Sequence, residues 1–293
     1  MKPNNEYLSP FALGLWRLTD AKLTDEQLYD LIKTCIAHGV TTFDHADIYG
    51  NGLAQIQFGR VLKAHPELRE QMVIVSKCGI VKNDTPSEYY YSYYETSYEY
   101  ILKRVDSILL DLQIDYLDVL LIHRVDHLMN YKEVARAFHE LRDSGKVKYF
   151  GVSNFLVPQL DAMIKEFPDI FVNQIQISVD HLEHFKNGVI ERCSYYDLQV
   201  MSYSPLGGGE IFSEDYKNDY LKKQLMSMKH DLTAQSIDQV MLAWIKRHPL
   251  NIVVILGSMK QERILNQIQS LKLQLTTKQW YDLYTASQLK RLP

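Results

Sequence analysis

Four residues able to carry out acid–base chemistry follow one another along the chain: Asp44, Tyr49, Lys77 and His123. The phenol of tyrosine has an ordinary pKa of about 10, and a neighbouring ammonium group is expected to lower it. An aspartate paired with the lysine would limit the cost of burying the lysine's charge. Such a tyrosine can protonate a carbonyl oxygen while a hydride reaches the carbonyl carbon, and the histidine could orient that oxygen. These residue types therefore indicate acid-catalysed carbonyl reduction, provided that the fold brings them together.

The elements that would position these residues alternate between predicted strands and predicted helices. Apolar residues recur at helical spacing over 28–36, and a capping box of Thr24 and Gln27 precedes them. A second capping box, Thr276 and Gln279, begins the last predicted helix. Apolar runs between the helices predict eight strands at residues 11–16, 41–44, 72–77, 116–123, 148–153, 172–178, 200–204 and 251–257.

Eight strand-then-helix units are characteristic of a (β/α)8 TIM barrel. We predict that residues 1–293 form a single domain of this α/β class, with an extra C-terminal helix. Near-continuous apolar strands suit a parallel sheet that is buried on both faces. A doubly wound open sheet is the competing architecture, and a dinucleotide-binding sheet of that kind is expected to carry GxGxxG after an early strand. The chain has neither that motif nor GxxxxGK(S/T).

In such a barrel the chemistry lies at the carboxyl ends of the strands. The side chains predicted at those ends are Trp16 and Arg17, Asp44 to Tyr49, Lys77, His123, Ser153 and Asn154, Gln174, Tyr203 with the following SPLGGG, and Gly257 with Ser258. Four of the eight ends carry Asp, Tyr, Lys or His, which favours one shared pocket.

Composition excludes several classes of protein. The 293 residues carry a net charge of −4 and 46% are hydrophobic, which argues against a nucleic-acid binder and against a disordered chain. Three cysteines without a CxxC predict neither a disulfide framework nor a cysteine-rich zinc site. The polar N-terminus predicts no secretory signal, and no apolar run is long enough to span a bilayer. We therefore expect a cytoplasmic protein with no membrane partner.

Several motifs in collinear order match a known family. They are TTFDHADIYG (41–50), VSKCG (75–79), DYLDVLLIHR (115–124), GKVKYFGVSNF (145–155), NQIQIS (173–178), SYSPLGGG (202–209) and ILGSMKQERI (255–264). With these motifs the chain resembles the aldo-keto reductases over nearly its whole length, and its pattern is most similar to their bacterial oxidoreductase branch.

The resemblance implies a (β/α)8 barrel that reduces small aldehydes and ketones with NAD(P)H, usually NADPH, and needs no metal. It places the catalytic tetrad on Asp44, Tyr49, Lys77 and His123, with Tyr49 as the proton donor.

The same resemblance implies a coenzyme site. Ser153, Asn154 and Gln174 match the positions that hold the nicotinamide carboxamide, which needs both donors and acceptors. Tyr203 matches the aromatic residue that stacks on the nicotinamide ring. The loop that begins at Ser204 matches the segment around the pyrophosphate, where glycines allow close approach of the backbone. In this loop we expect contacts from Ser204, Leu206, Gly207 and Gly208.

The last motif carries the phosphate-binding end. Ser258 and Arg263 match the pair that grips the 2′-phosphate of NADPH, because arginine can donate two hydrogen bonds to a phosphate. NADPH is the preferred coenzyme in this interpretation. Gly257 stands where many members have lysine, so one contact to the phosphate is missing and NADH stays open. Gln267 stands where asparagine is common and is expected to reach the adenine. Trp16 is expected near the nicotinamide or the substrate.

Two other functions stay open. The fold also serves as a nicotinamide-occupied sensor or regulatory subunit with slow turnover. A metal-dependent barrel hydrolase is the third hypothesis, since His181 and His184 lie three residues apart, but the first strand lacks the HxH pair usual in such enzymes. The expected substrate walls are residues 80–95, 124–130 and 205–234. The tyrosine-rich stretch over 87–100 would favour apolar or aromatic carbonyl compounds.

Overall fold

The structure, a computed structural model, describes residues 2–4, 6–82 and 92–290. Its strands are β1 (Phe11–Gly14), β2 (Thr42–Asp44), β3 (Val73–Cys78), β4 (Ile80–Val81), β5 (Tyr93–Tyr94), β6 (Leu117–Ile122), β7 (Val147–Ser153), β8 (Ile170–Gln176), β9 (Gln199–Tyr203) and β10 (Val253–Leu256). In this part of the chain eight parallel strands close into a barrel in the order β1, β2, β3, β6, β7, β8, β9 and β10. The predicted (β/α)8 barrel is confirmed.

The helices surround the barrel. They are α1 (Leu18–Ala21), α2 (Asp25–Ala37), α3 (Leu53–Ala64), α4 (Tyr98–Leu112), α5 (Tyr131–Asp143), α6 (Val157–Glu166), α7 (Val189–Tyr195), α8 (Asp219–Asp231), α9 (Ile237–Lys246), α10 (Gln261–Ile268) and α11 (Thr277–Gln288). Both predicted capping boxes form, at Thr24 with Gln27 and at Thr276 with Gln279. None of the described helices has both the length and the apolar composition needed to cross a bilayer.

Strand β6 shows why the barrel strands read as unbroken apolar runs. Val119 and Leu121 belong to one buried cluster, while Leu120 and Ile122 belong to another. Successive side chains of a strand point to opposite faces, so the first cluster fills the barrel and the second packs beneath the helices.

Three features differ from the sequence-based prediction. The short strands β4 and β5 form an antiparallel pair that periodicity over two residues could not reveal. Residues 83–91, which include part of the tyrosine-rich stretch, lie outside the described residues, and Tyr93 and Tyr94 do not line the main cavity. The expected substrate wall over 205–234 is only partly correct, because helix α8 instead docks on α11, where Asn218 Nδ2 donates to the carbonyl oxygen of Ala286 at 3.0 Å.

A charged network ties the barrel together at the end opposite the strand termini listed above. The buried carboxylate of Asp118 accepts hydrogen bonds from Tyr7 Oη (2.9 Å), Arg69 Nη2 (2.8 Å), Lys148 Nζ (3.2 Å) and the backbone N–H of Ile74 (2.9 Å). Four donors thus satisfy one buried acid, which makes it a position where substitution is costly.

We expect Asp118→Asn to lower the free energy of unfolding by about 1.5–3 kcal/mol, because the amide places its own N–H groups against donors. Urea unfolding followed by circular dichroism measures the change. Asp106→Asn is the control, since Asp106 forms an exposed ion pair with Lys146, and such pairs contribute less than about 1 kcal/mol. Equal losses in the two variants would contradict the structural role of Asp118.

Candidate active site

The tetrad residues lie together because they end neighbouring parallel strands. Asp44 is the last residue of β2, Lys77 lies near the end of β3, and His123 directly follows β6. Strand β3 pairs with both β2 and β6, so the three side chains are brought to one rim of the barrel. Tyr49 begins a tight turn over Tyr49–Gly52, in which Gly50 and Asn51 have positive φ, and its ring centroid lies 5.0 Å from Lys77 Nζ.

The ammonium group of Lys77 is fully buried and surrounded by acceptors. Its Nζ donates to both carboxylate oxygens of Asp44 at 2.8 Å, to the carbonyl oxygen of His45 at 2.7 Å and to Tyr49 Oη at 3.1 Å. Asp44, Tyr49 and Lys77, which lie apart in the sequence, are therefore in direct contact. The carboxylate of Asp44 compensates the charge of Lys77.

The pKa of Tyr49 differs from the expectation. Burial raises it above the ordinary tyrosine value, and the opposing effect of the Lys77 charge is smaller. The predicted net lowering is therefore wrong, since the sequence showed the cation but not the desolvation of the phenol. Burial also acts to lower the pKa of Lys77, but the charges of Asp44 and Tyr49 together outweigh it, and the pKa of Lys77 lies above its ordinary value.

His123 presents a neutral imidazole to the same cavity. Burial, with smaller contributions from Lys77 and Arg124, holds the pKa of His123 well below its ordinary value. Its ring meets that of Tyr49 edge-on, with centroids 6.1 Å apart. The Nδ1 atom is buried without a hydrogen-bond partner among the described residues.

The residues expected to hold the nicotinamide carboxamide form a connected chain of hydrogen bonds. Ser153 Oγ donates to the carbonyl oxygen of Gln174 at 2.9 Å, and Asn154 Nδ2 donates to Ser153 Oγ at 2.8 Å. Tyr203 Oη donates to Asn154 Oδ1 at 2.7 Å. Gln174 Nε2 also donates to Asp44 Oδ1 at 2.8 Å, a link to the tetrad that the sequence did not predict.

One cavity of about 480 Å³ joins these groups. Every predicted site residue lines it except Lys77, which lies behind Tyr49, and Gly207. Its lining comprises Gly14, Trp16, Arg17, Asp44, Ile48, Tyr49, Ile80, His123, Arg124, Ser153, Asn154, Gln174, Tyr203, Ser204, Pro205, Leu206, Gly208, Gly209, Phe212, Ile255, Leu256, Gly257, Ser258, Arg263 and Gln267.

The three glycines after Tyr203 differ in whether they face the cavity. Gly207 has φ of +57° and lies against the carboxylate of Asp180, where an added Cβ would clash, so it shapes the turn and does not face the cavity. Gly208 and Gly209 also have positive φ, at +69° and +96°, and no atom lies within 4 Å of an added Cβ at either. This open backbone fits a bulky anionic ligand such as the pyrophosphate of a dinucleotide.

The far end of the cavity has an unused buried acceptor. Gln267 Nε2 donates to Asp238 Oδ2 at 3.1 Å, while Gln267 Oε1 is buried without a partner among the described residues. An amino group of an adenine ring would satisfy that oxygen. Ser258 and Arg263 line the same end, so the residues present fit an adenine dinucleotide phosphate.

Lining residues that were not predicted as ligands include Arg17, Arg124, Ile48, Ile80 and Phe212. The two arginines directly follow Trp16 and His123, so adjacency to a predicted strand end was the available signal. Ile48, Ile80 and Phe212 carried no such signal, because an apolar residue in a loop has the same sequence pattern whether it faces a cavity or the core.

The histidine pair provides no metal site in the described part of the chain. The rings of His181 and His184 have centroids 6.1 Å apart. Across residues 2–4, 6–82 and 92–290, no group of three His, Cys, Asp or Glu side chains could hold a metal ion. The three cysteines are buried as free thiols.

Comparison with known proteins identifies the family. The model of the aldo/keto reductase family matches residues 10–287. The chain belongs to the aldo/keto reductase family. It is therefore an NAD(P)H-dependent oxidoreductase, which agrees with the geometry at the barrel mouth.

Individual relatives span nearly the whole chain. It is 42% identical to the oxidoreductase YcsN of Bacillus subtilis (strain 168), over 96% of this chain and 94% of YcsN. It is 39% identical to the oxidoreductase YdhF of Escherichia coli (strain K12), over 97% and 95% of the two chains. The solved structure of the thermostable aldo-keto reductase Tm1743 is 25% identical and superposes with a TM-score of 0.80, covering 98% of each chain.

Proposed function

We propose that this aldo/keto reductase reduces aldehyde or ketone carbonyl groups with NADPH and that Tyr49 donates the proton. The observation that carries the proposal is the contact of Tyr49 Oη with the buried Lys77–Asp44 pair, at the wall of a cavity that Ser153, Ser258 and Arg263 also line. We further propose that residues 1–293 act as one domain.

NADPH would be held along the cavity. We assign its carboxamide to Ser153, Asn154 and Gln174, and its nicotinamide ring to Tyr203 and Trp16. We assign its pyrophosphate to the loop that contains Ser204, Leu206, Gly207 and Gly208, its 2′-phosphate to Gly257, Ser258 and Arg263, and its adenine to Gln267. Gly207 would act through the shape of the loop. When bound, the nicotinamide supplies the hydride.

Tyr49, Lys77 and His123 would each contribute to the transfer of the proton to the carbonyl oxygen. The raised pKa keeps Tyr49 protonated at neutral pH, so it is ready to act as an acid. Lys77 stabilises the phenolate that remains after the proton has moved to the carbonyl oxygen, because its ammonium group already contacts Tyr49 Oη. His123, held neutral, can donate a hydrogen bond to the carbonyl oxygen without competing for the proton.

The carbonyl compound would bind beside Tyr49 and His123, between apolar walls formed by Trp16, Ile48 and Phe212. A 36% identical relative from Agrobacterium fabrum (strain C58 / ATCC 33970) is named a 6-dehydroglucose reductase. Sugar-derived aldehydes therefore belong in the substrate panel beside aromatic and aliphatic aldehydes.

Turnover separates this proposal from a nicotinamide-occupied sensor. Purified protein is mixed with NADPH and a carbonyl panel, and NADPH oxidation is followed by absorbance. Steady consumption dependent on the carbonyl supports the reductase. Tight NADPH binding with negligible consumption across the panel would contradict it and favour the sensor.

The phosphate end of the cavity yields a coenzyme prediction. We expect Arg263→Leu to raise the Kd of NADPH about 10–100-fold, because a charged hydrogen bond to the 2′-phosphate is lost, and to change the Kd of NADH much less. Quenching of protein fluorescence measures both constants. Arg60→Leu is a matched control, since Arg60 pairs with Asp25 on the surface. Parallel losses for the two coenzymes would contradict the assignment.

A further inference from the structure

The described residues that line the cavity include more positively charged side chains than negatively charged ones. In the described lining the charged side chains are Arg17, Arg124, Arg263 and Asp44. Asp44 is already bonded by Lys77 and Gln174. Among the described lining residues the arginines are therefore left without a carboxylate of their own, and their positive charges outnumber the negative ones.

Two of these arginines lie towards the end assigned to the coenzyme phosphates. Arg17 Nη2 donates to the carbonyl oxygen of Gly208 at 3.4 Å, and its Nη1 lies 3.9 Å from where a Cβ on Gly257 would stand. Arg263 is in α10, the helix that follows Ser258. Phosphate groups of the coenzyme account for the charge at that end.

Arg124 lies apart from them, at the end of β6 beside the tetrad. Arg124 directly follows His123, and both residues line the cavity together with Tyr49, which places Arg124 at the substrate end. It is half-buried and makes no hydrogen bond or ion pair with any other described residue. The nearest acid in sequence, Asp126, is occupied, because it accepts from Thr96 Oγ1 and from the backbone N–H of Leu128, both at 2.8 Å.

We propose that Arg124 selects carbonyl substrates that carry a carboxylate, binding the carboxylate while the carbonyl oxygen lies against Tyr49 and His123. A guanidinium group offers two parallel N–H donors that match the two oxygens of a carboxylate. Partial burial in a concave site strengthens the attraction relative to an exposed pair. This inference rests on the proposed reductase function and adds the substrate class.

The chemistry balances with the groups already assigned. The carbonyl carbon receives the hydride as NADPH is oxidised to NADP⁺, the carbonyl oxygen receives the proton of Tyr49, and the carboxylate stays unchanged. An oxo acid is thus converted into a hydroxy acid, and the carboxylate serves only for recognition.

The test compares two aldehydes of similar shape, 4-carboxybenzaldehyde and 4-methylbenzaldehyde. We expect the wild-type enzyme to have the higher kcat/KM for the carboxylate. Arg124→Met, which keeps much of the apolar stem, should lower the ratio of the two kcat/KM values about 10–100-fold, mainly through KM. Arg124→Lys should restore part of the ratio. Arg124→Glu should turn the preference towards an aldehyde that carries a trimethylammonium group.

Arg192→Met is the matched control, because Arg192 pairs with Asp161 at 3.5 Å outside the cavity. Its ratio should equal that of the wild type. A second readout is independent of turnover: calorimetry with benzoate and benzamide on the enzyme with NADP⁺. Benzoate should bind more tightly, the difference should shrink with added salt, and it should disappear in Arg124→Met.

The outcomes are distinguishable. If the wild type reduces neither these two aldehydes nor any other member of the carbonyl panel, the proposed function fails, and the calorimetric comparison alone decides the role of Arg124. If both aldehydes are reduced and Arg124→Met leaves their ratio unchanged, the selection of carboxylates is wrong while the reductase stands. A larger effect of Arg124→Met on 6-dehydroglucose or another neutral polyhydroxy aldehyde would also overturn it.

Discussion

Tyr49→Phe should lower the kcat of carbonyl reduction by about 10²–10⁴-fold while NADPH still binds. Phenylalanine keeps the ring that packs beside His123 and removes only the hydroxyl that contacts Lys77. The proton of the reaction then has no donor, although the cavity keeps its shape. Steady-state NADPH oxidation measures the rate, and fluorescence quenching measures the Kd of NADPH.

Tyr7→Phe is a matched control for this variant. Tyr7 also has a half-buried ring with its hydroxyl bonded to a charged group, Asp118, but it lies outside the cavity. The control should lose stability and keep its reductase rate. If Tyr49→Phe retains more than about a tenth of the wild-type kcat, against the ordinary contribution of acid catalysis, the proton must come from elsewhere.

The direction of the Tyr49 pKa shift sets the expected pH profile. Because burial raises this pKa above its ordinary value, the phenol stays protonated throughout the neutral range. Proton donation should therefore persist across neutral pH and decline only when the solution becomes strongly alkaline.

Lys77→Met should abolish measurable reduction and lower the free energy of unfolding by about 3–5 kcal/mol. The substitution leaves the carboxylate of Asp44 buried without its cation, and it removes the charge that stabilises the phenolate of Tyr49. Urea unfolding measures the stability, and NADPH oxidation measures the rate.

The double variant Lys77→Met with Asp44→Asn separates the two effects. Removing both charges relieves the unpaired buried carboxylate, so much of the stability should return while the reductase rate stays lost. Lys146→Met is a control for the loss of an exposed ion pair, here with Asp106 at 2.6 Å, and should cost less than about 1 kcal/mol. Recovery of turnover in the double variant would show that Lys77 only supports the fold.

The amino-acid sequence alone predicts several of the helices. Helix α2 at Asp25–Ala37 and both capping boxes agree with the periodicity and the capping motifs, because local hydrogen bonds and one apolar face specify those helices. The two short strands at Ile80–Val81 and Tyr93–Tyr94 were missed, since their pairing depends on residues far apart and not on a local pattern.

The amino-acid sequence by itself determined the barrel and the placement of Asp44, Lys77 and His123 at neighbouring strand ends, because strand order and parallel pairing follow from the alternation of apolar runs. Only the tertiary structure decided the sign of the Tyr49 pKa shift, the turning of Gly207 away from the cavity and the unpaired state of Arg124 among the described residues. Each of these depends on how much water is excluded and on which distant groups come within a few ångströms. Those quantities are set by packing and are not encoded in any local stretch of the chain.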